Sequence, residues 1–454
     1  MKKLALSLVF AALCSSLWAA PVTKHVARGV TYTCDVRESD NLVINYLTVD
    51  PTEEGVRICG EPGGGDLTAG ILNGKEPIAL SVKRNGAAAG INGNFFPWTN
   101  DPRWPGDPLG INMRGGELIS EPTHDDVWAS CGITADGDLV IGEVKARGVL
   151  TLSNGVSFKL DGINRQAEDK EIILCAPVFG PETKDRTLCG HIILGCGNLP
   201  VSPFKTMRMT VREVVKEPRQ VSVPADGAVI SARGKTGKLL LDSLKTGEKI
   251  TARFDFVRKD GSLAEEWDLV TDAMGGIPVL LKEGEIVGLA DSDYATTGQP
   301  RSLIGKTAEG KIIMATVDGR QPFSKGLSFN GSALLMKELG CVDAMAFDGG
   351  GSTTLSVKGI VVNSPSDRKH RPVCDGLMVF AEPYDPSDGA PVFARQGSRV
   401  RCTVDGNPVT DLIWGTLDGG GYVDQNGKLY PRENTSARVG AVVAGVYYET
   451  DIEF

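Results

Sequence analysis

Histidine is scarce in this chain. Four occur in 454 residues, scattered at positions 25, 124, 191 and 370. No Cys-x-x-Cys pair accompanies them, so the usual zinc-holding patterns are missing and a two-metal hydrolase has few ligands to draw on. Aromatic residues make up only 6%. Beyond the N-terminal segment no apolar run is long enough to cross a bilayer. Basic residues are also in deficit, 48 against 57 acidic ones, for a formal net charge of −9. Non-specific nucleic-acid binding needs the opposite balance. No cofactor is expected to be required; the acidic loops could hold a calcium ion, but no loop carries the twelve-residue EF-hand pattern.

What the chain has in quantity is glycine, 56 residues, within a 41% hydrophobic composition. That combination predicts many turns and short strands around ample core, in two or three domains. Residues 1–19 read as a signal peptide: Lys2-Lys3, an apolar run from Leu4 to Leu13, then Leu17-Trp18-Ala19, with cleavage after Ala19. Removing Lys2 and Lys3 moves the net charge from −9 to about −11. The protein is expected to be secreted or periplasmic. Nine cysteines follow the cut, and an oxidising compartment favours pairing some of them. Cys34–Cys59, Cys189–Cys196 and Cys341–Cys374 are candidate pairs whose connectivity the sequence does not fix.

Strand signals open the chain at Val30–Val36, Leu42–Val49 and Gly55–Cys59, and a helix is predicted near Ile78–Arg84. Ala87 to Phe96 reads as a strand ending in Asn92-Gly93-Asn94. Two residues apart on a strand, the amides share a face and can line one pocket; an Asn-Gly hairpin turn fits the same letters. From Val127 to Val257 strand-like runs recur about every ten residues, a β-rich rhythm without βαβ units. Arg301 begins a later strand, Asp318 and Arg320 end the next, and Ser328 caps a helix from about Phe329 to Leu339 that Gly340 stops. Residues 383–391 are a linker by composition, and 392–454 resemble a bacterial immunoglobulin-like β-sandwich built around Trp414.

The stretch Ala344-Met-Ala-Phe-Asp-Gly-Gly-Gly-Ser-Thr-Thr-Leu355 is the densest in chemistry. Val342–Phe347 is a short buried strand that stops at Asp348 with three glycines behind it. Such glycines are costly to order, and they let backbone N–H groups approach an anion. Ser352 and Thr353 add hydroxyls. A plain Asp-Gly hairpin between Val342–Phe347 and Thr354–Val357 is the alternative. Further on, Arg368, Lys369, His370 and Arg371 form a positive cluster in an acidic chain, either a solvated loop or a lip for phosphate.

Four ordered segments together resemble the phosphodiester glycosidase family: Ile91-Asn-Gly-Asn-Phe-Phe96; Pro300-Arg-Ser-Leu-Ile-Gly305; Val317-Asp-Gly-Arg320 with Lys325-Gly-Leu327; and Phe347-Asp-Gly-Gly-Gly-Ser-Thr353 with Asn363-Ser-Pro-Ser-Asp367. Arg371-Pro-Val373 and Gly275-Gly-Ile-Pro278 also fit, so the resemblance spans residues 80–382. Ala346-Phe347 departs from the family's more usual Asn-Leu. The resemblance implies an α+β catalytic domain over 20–382, of mixed sheets with few helices, followed by the small β-sandwich. It implies hydrolysis of a sugar 1-phosphodiester to free sugar and a phosphomonoester.

Phosphate leaves well, so such a site needs cations and N–H donors for the phosphate and a carboxylate at the anomeric carbon. On this reading Asp348 is the principal carboxylate, Asp318 the second and Asp367 a third candidate. Arg301, Arg320 and Arg371 meet the phosphate with Gly349, Gly350, Gly351, Ser352 and Thr353, and Asn92 and Asn94 bind the sugar. The partner is a phosphodiester-linked glycan. A metal-dependent phosphodiesterase and a non-catalytic glycan-binding protein are the rival readings.

Overall fold

The computed structural model describes residues 20–67, 74–97, 106–123, 128–183, 190–288, 293–384, 389–418, 421–431 and 437–452. The signal segment, Cys14, His124, Cys189 and most of the loop after Phe96 lie outside the described residues. Antiparallel β-structure dominates, with few helices, as the composition implies.

Sheet 1 runs in the order Val22–Ala27, Val30–Arg37, Leu42–Val49, Ile312–Val317, Arg301–Thr307, Cys341–Ala346, Val279–Lys282, Glu285–Ile286. Sheet 2 runs Val446–Ile452, Ala437–Val443, Leu412–Thr416, Ile360–Val361, Leu355–Val357, Ala89–Asn92, Asp375–Phe380, Arg57–Pro62. Val30, Leu47, Ile304, Met345 and Phe347, all from sheet 1 or its end, pack with Ala89, Ile91, Leu355, Val357 and Leu377 of sheet 2 in one buried core. Burying each such aliphatic side chain contributes about 1.5–3 kcal/mol, enough to fix how the two sheets face each other. The opposite face of sheet 1 is covered by the helix Phe329–Glu338, whose Phe329, Ala333 and Met336 meet Leu303, Ala315 and Ala344. Ser328 caps that helix by accepting from the Gly331 N–H at 3.0 Å.

Sheet 3 is built from Ser157–Leu160, Lys145–Thr151, Lys249–Val257, Thr206–Val215, Gly190–Cys196, Gly227–Ala232, Ile172–Cys175 and Gly162–Ile163, in that order. Its β rhythm is interrupted by the helix Gly234–Ser243, which the sequence reading passes over. Gly234 and Gly237 weaken the helical signal there. Tertiary packing overrides it, because a Cβ on Gly237 would collide with the backbone of Ala232.

At the C-terminus Thr416 pairs with Val361, so Leu412–Thr416, Ala437–Val443 and Val446–Ile452 extend sheet 2. Val400, Cys402, Leu412, Trp414, Val423 and Val439 form a small core of their own beneath them. Phe323, five residues past Asp318, stacks on Tyr422 with ring centroids 5.8 Å apart. The suggested disulfides Cys34–Cys59 and Cys341–Cys374 are not formed. Each pair is divided between sheets 1 and 2, with Cys34 and Cys341 in strands of sheet 1, Cys59 in sheet 2 and Cys374 at its edge. Cys196 carries no disulfide, and Cys189 lies outside the described residues.

Candidate active site

Asp348 stands where the chain leaves sheet 1 and enters sheet 2. The strand Cys341–Ala346 belongs to the first and Leu355–Val357 to the second, so Asp-Gly-Gly-Gly is a crossover and not a hairpin turn. Three contacts hold the crossover: Phe347 N–H to Ser302 O at 2.8 Å, Asp348 N–H to Gly93 O at 3.0 Å, and Gly350 N–H to Pro300 O at 2.9 Å. Gly350 has φ +61, a conformation that glycine adopts without a Cβ penalty. Three of the four segments named for the resemblance thus bond to one another at this crossing, and the remaining one brings Arg320 up to Gly350.

The half-buried Asp348 carboxylate is bonded by Ser352 Oγ–H and by the Gly349 N–H, and Arg371 lies within its field. Burial pushes its pKa up to about 6, against the lowering effect of those three groups, and Asp375 adds to the rise. Ser352 Oγ also accepts from Arg371 Nη1 at 3.1 Å. Arg371 in turn grips Asp367 Oδ2 through Nε at 2.7 Å and Nη2 at 2.6 Å. Asp348, Ser352, Arg371 and Asp367 therefore form one continuous network. Arg320 is exposed beside it, with Nε on Gln299 Oε1 at 2.7 Å and its terminal nitrogens 3.2 Å from where a Gly350 Cβ would stand.

Other residues named from the sequence stand behind this network. Asn92 is 1% exposed, and its Nδ2 donates to Asp348 O at 2.7 Å while its Oδ1 accepts from Ser302 Oγ and Thr354 N. It positions the crossover and has no face open to a sugar. Asn94 donates to Asp375 Oδ2 at 2.7 Å and to Ile111 O, so the two amides diverge instead of sharing a pocket. Arg301, 1% exposed, donates from Nε to Leu327 O at 2.8 Å, and its guanidinium lies 4.0 Å over the Phe329 ring. Asp318 is enclosed as well, its Oδ1 accepting from Asn363 Nδ2 and from Ser364 N at 2.9 Å. Thr353 is buried. The glycine N–H groups are partly spent: Gly349 on Asp348 and Gly350 on Pro300.

Sequence reasoning missed Asp375, Asn112, Gln299 and Asn363. Asp375 is buried and accepts from Asn94 N–H, Asn94 Nδ2 and Asn112 Nδ2 at 2.7–2.9 Å. Burial still raises its pKa against those donors. Locally it reads as a Cys-Asp-Gly turn, and only its distant partners reveal it. Asn363 begins one of the resembling segments, but only its partners Asp318 and Leu355 set it apart from its neighbours.

Asp107 is the other omission. It is buried and, among the described residues, has no hydrogen-bond donor. Arg165, whose charge reaches it, is engaged with Glu121, Glu171 and two carbonyls. Burial and then Glu121 hold the Asp107 pKa well above the usual range. A carboxyl raised on folding costs nothing below its unfolded pKa of about 3.9 and costs more as pH rises toward its folded value. Asp107→Asn is therefore expected to raise the melting temperature at pH 8 by about 2 °C or more, with no gain near pH 4. A scan showing the same shift at both pH values would contradict this.

Among the described residues no group of three or more His, Cys, Asp or Glu side chains gathers to hold a metal ion, and no helix is long and apolar enough to cross a membrane.

Comparison with known proteins bears on this site directly. The sequence pattern of the phosphodiester glycosidases matches residues 206–380, which include Arg301, Asp318, Arg320, Asp348, Asp367 and Arg371. The uncharacterized SPbeta prophage-derived protein YomE of Bacillus subtilis is 31% identical over 139 residues, 29% of this chain and 21% of that protein. A hypothetical protein from Synechocystis shares the fold, with a TM-score of 0.63 at 20% identity over 78% of this chain and 62% of its own. The zebrafish N-acetylglucosamine-1-phosphodiester alpha-N-acetylglucosaminidase catalytic domain superposes with a TM-score of 0.41 at 15% identity, over 80% of this chain and 85% of that one. This chain thus spans about a fifth of its curated relative and under two thirds of the Synechocystis protein. Residues 206–380, the stretch that carries the Asp348 crossover, thus match the phosphodiester glycosidase pattern.

Proposed function

We propose that this chain is an exported glycosidase that hydrolyses a sugar 1-phosphodiester, of the N-acetylglucosamine 1-phosphate type, to free sugar and a phosphomonoester. The observation that carries the reading is the raised, half-buried Asp348 carboxylate, tied to Arg371 through Ser352, with Arg320 standing over Gly350 two residues on. At neutral pH a carboxyl with a pKa about 6 is mostly ionised yet poorly solvated. That is the state required of a nucleophile, or of a base for water, at an anomeric carbon developing positive charge. The two arginines supply the positive field for the departing phosphate. Arg320 is open to solvent, whereas Arg371 shares its charge with Asp367. Arg301 and Asp318 act from behind, Arg301 by bracing the Leu327 turn and Asp318 by pinning Asn363 and Ser364. Residues 1–19 act as the export signal, and 392–454, with its own core, is read as an immunoglobulin-like module.

Incubation with an N-acetylglucosamine 1-phosphate methyl ester is expected to yield free N-acetylglucosamine and methyl phosphate. Sugar phosphate as product, abolished by EDTA, would establish the phosphodiesterase reading instead. Binding without turnover across a panel of such diesters would leave a glycan-binding protein.

Arg371 gives the reading a pH signature. Its charge lowers the Asp348 pKa, so Arg371→Met is expected to move the acidic limb of kcat/KM above the wild-type position of about 6. An unmoved limb, measured on the same ester, would dissociate Arg371 from Asp348.

A further inference from the structure

A second concave site lies on sheet 3, away from the Asp348 network and sharing no residue with it. The cavity has a volume of about 660 Å³, within the range of a small-ligand site. Its floor is where Gly195 faces Thr210 across the strand pair, and Arg212 lies over Gly195, held by both oxygens of Asp226 at 2.8 and 2.7 Å. Thr210 pairs with Lys249, and Arg208 with Thr251. Directly opposed residues of an antiparallel pair share a face, so Arg208 and Lys249 stand on one side of the sheet as diagonal neighbours roughly 7–8 Å apart. Both are exposed, and neither has a carboxylate partner among the described residues.

Charge on this face runs against the molecule. Along the same three strands, Lys145, Arg147, Arg208, Arg212, Lys249 and Arg253 share this face with Asp255, and Asp226 reaches in to pair with Arg212, so cations outnumber carboxylates here in a chain of net charge −9. At the rim, Glu248 is turned to the Lys245 N–H and Ser153. Thr151, Ser153, Thr210 and Thr251 place hydroxyls around the cavity, and among the described residues no aromatic ring lines it. Single-stranded nucleic acid stacks its bases on aromatic platforms, so it fits poorly here. A chain of sugars joined by phosphates fits both features, with anions for the two cations and hydroxyls for the threonines.

We propose that this cavity docks a phosphodiester-linked glycan chain remote from the bond being cut, with Arg208 and Lys249 each meeting a phosphate. The identity of the polymer rests on the function proposed above, and the test separates the two. The probe is a tetramer of N-acetylglucosamine units joined by 1-phosphodiesters, titrated calorimetrically into Asp348→Asn protein with and without Arg208→Ala and Lys249→Ala. Neutral chitotetraose is the control. The double substitution is expected to weaken tetramer binding roughly tenfold or more and to flatten its salt dependence. Both changed residues are exposed, so the melting temperature should stay put. Equal affinity with and without the two cations, or binding no stronger than that of chitotetraose, overturns the proposal. Cation-dependent binding by a wild-type protein that cleaves no diester upholds the docking site and rejects the hydrolase.

Discussion

Asp348→Asn is expected to lower kcat on a sugar 1-phosphodiester by roughly 10³–10⁴-fold, the scale of losing a nucleophile or base from a site whose binding groups remain. The same change is expected to stabilise the protein. Wild-type Asp348 has its pKa raised from 3.8 to about 6 by burial. For a carboxyl raised on folding, the cost is absent below the unfolded pKa and grows as pH rises through the folded one, reaching roughly 2–3 kcal/mol at pH 8. Asparagine carries no such cost and can still accept from Ser352 and the Gly349 N–H. Melting curves should therefore show the variant ahead at pH 8 and level with wild type near pH 4. Loss of activity with a gain of stability separates a chemical role from a structural one, because removing a structural carboxylate would lose both. In wild type, kcat/KM should fall as pH drops through about 6. A variant that keeps most of its activity, or one that is less stable at pH 8, removes Asp348 from the centre of the mechanism.

How much of this was legible beforehand depended on whether a residue's role was set by its neighbours in sequence. The helix Phe329–Glu338 and the strands Arg301–Thr307 and Ile312–Val317 were, because capping and apolar periodicity are local signals. Asp348, with glycines behind it, was visible for the same reason. The direction of each side chain was not. Asn92 and Asn94 sit two apart and look like a pair, yet one turns to the Asp348 carbonyl and the other to Asp375. Arg301 looked like a phosphate ligand, but Phe329 and the Leu327 carbonyl enclose it. Asp375 and Asp107 acquire their character wholly from burial, which depends on segments far away in the chain.

Gly351→Ala is expected to cost roughly 100-fold in kcat/KM, though the residue touches no substrate in the proposed mechanism. A methyl group at Gly351 would overlap Arg371 Nη2 and Asp367 Oδ1, so the ion pair must shift. Once Arg371 moves it no longer holds Ser352 Oγ, and Asp348 loses a donor's support and part of its lowering field. Displacements of about 1 Å in such supporting groups cost on the order of 10²-fold. The adjacent Gly350→Ala makes a sharp contrast. Its φ of +61 brings backbone strain, but its new methyl would meet only the flexible end of Arg320, at 3.2 Å. That variant should lose stability more than activity. The decisive measurement is a double-mutant cycle: if Gly351→Ala acts through Arg371, it should cost little once Arg371→Met is already present. Additive losses in kcat/KM would mean that the methyl acts on the Asp348 turn directly and that the Asp367–Arg371–Ser352 chain does not carry the effect.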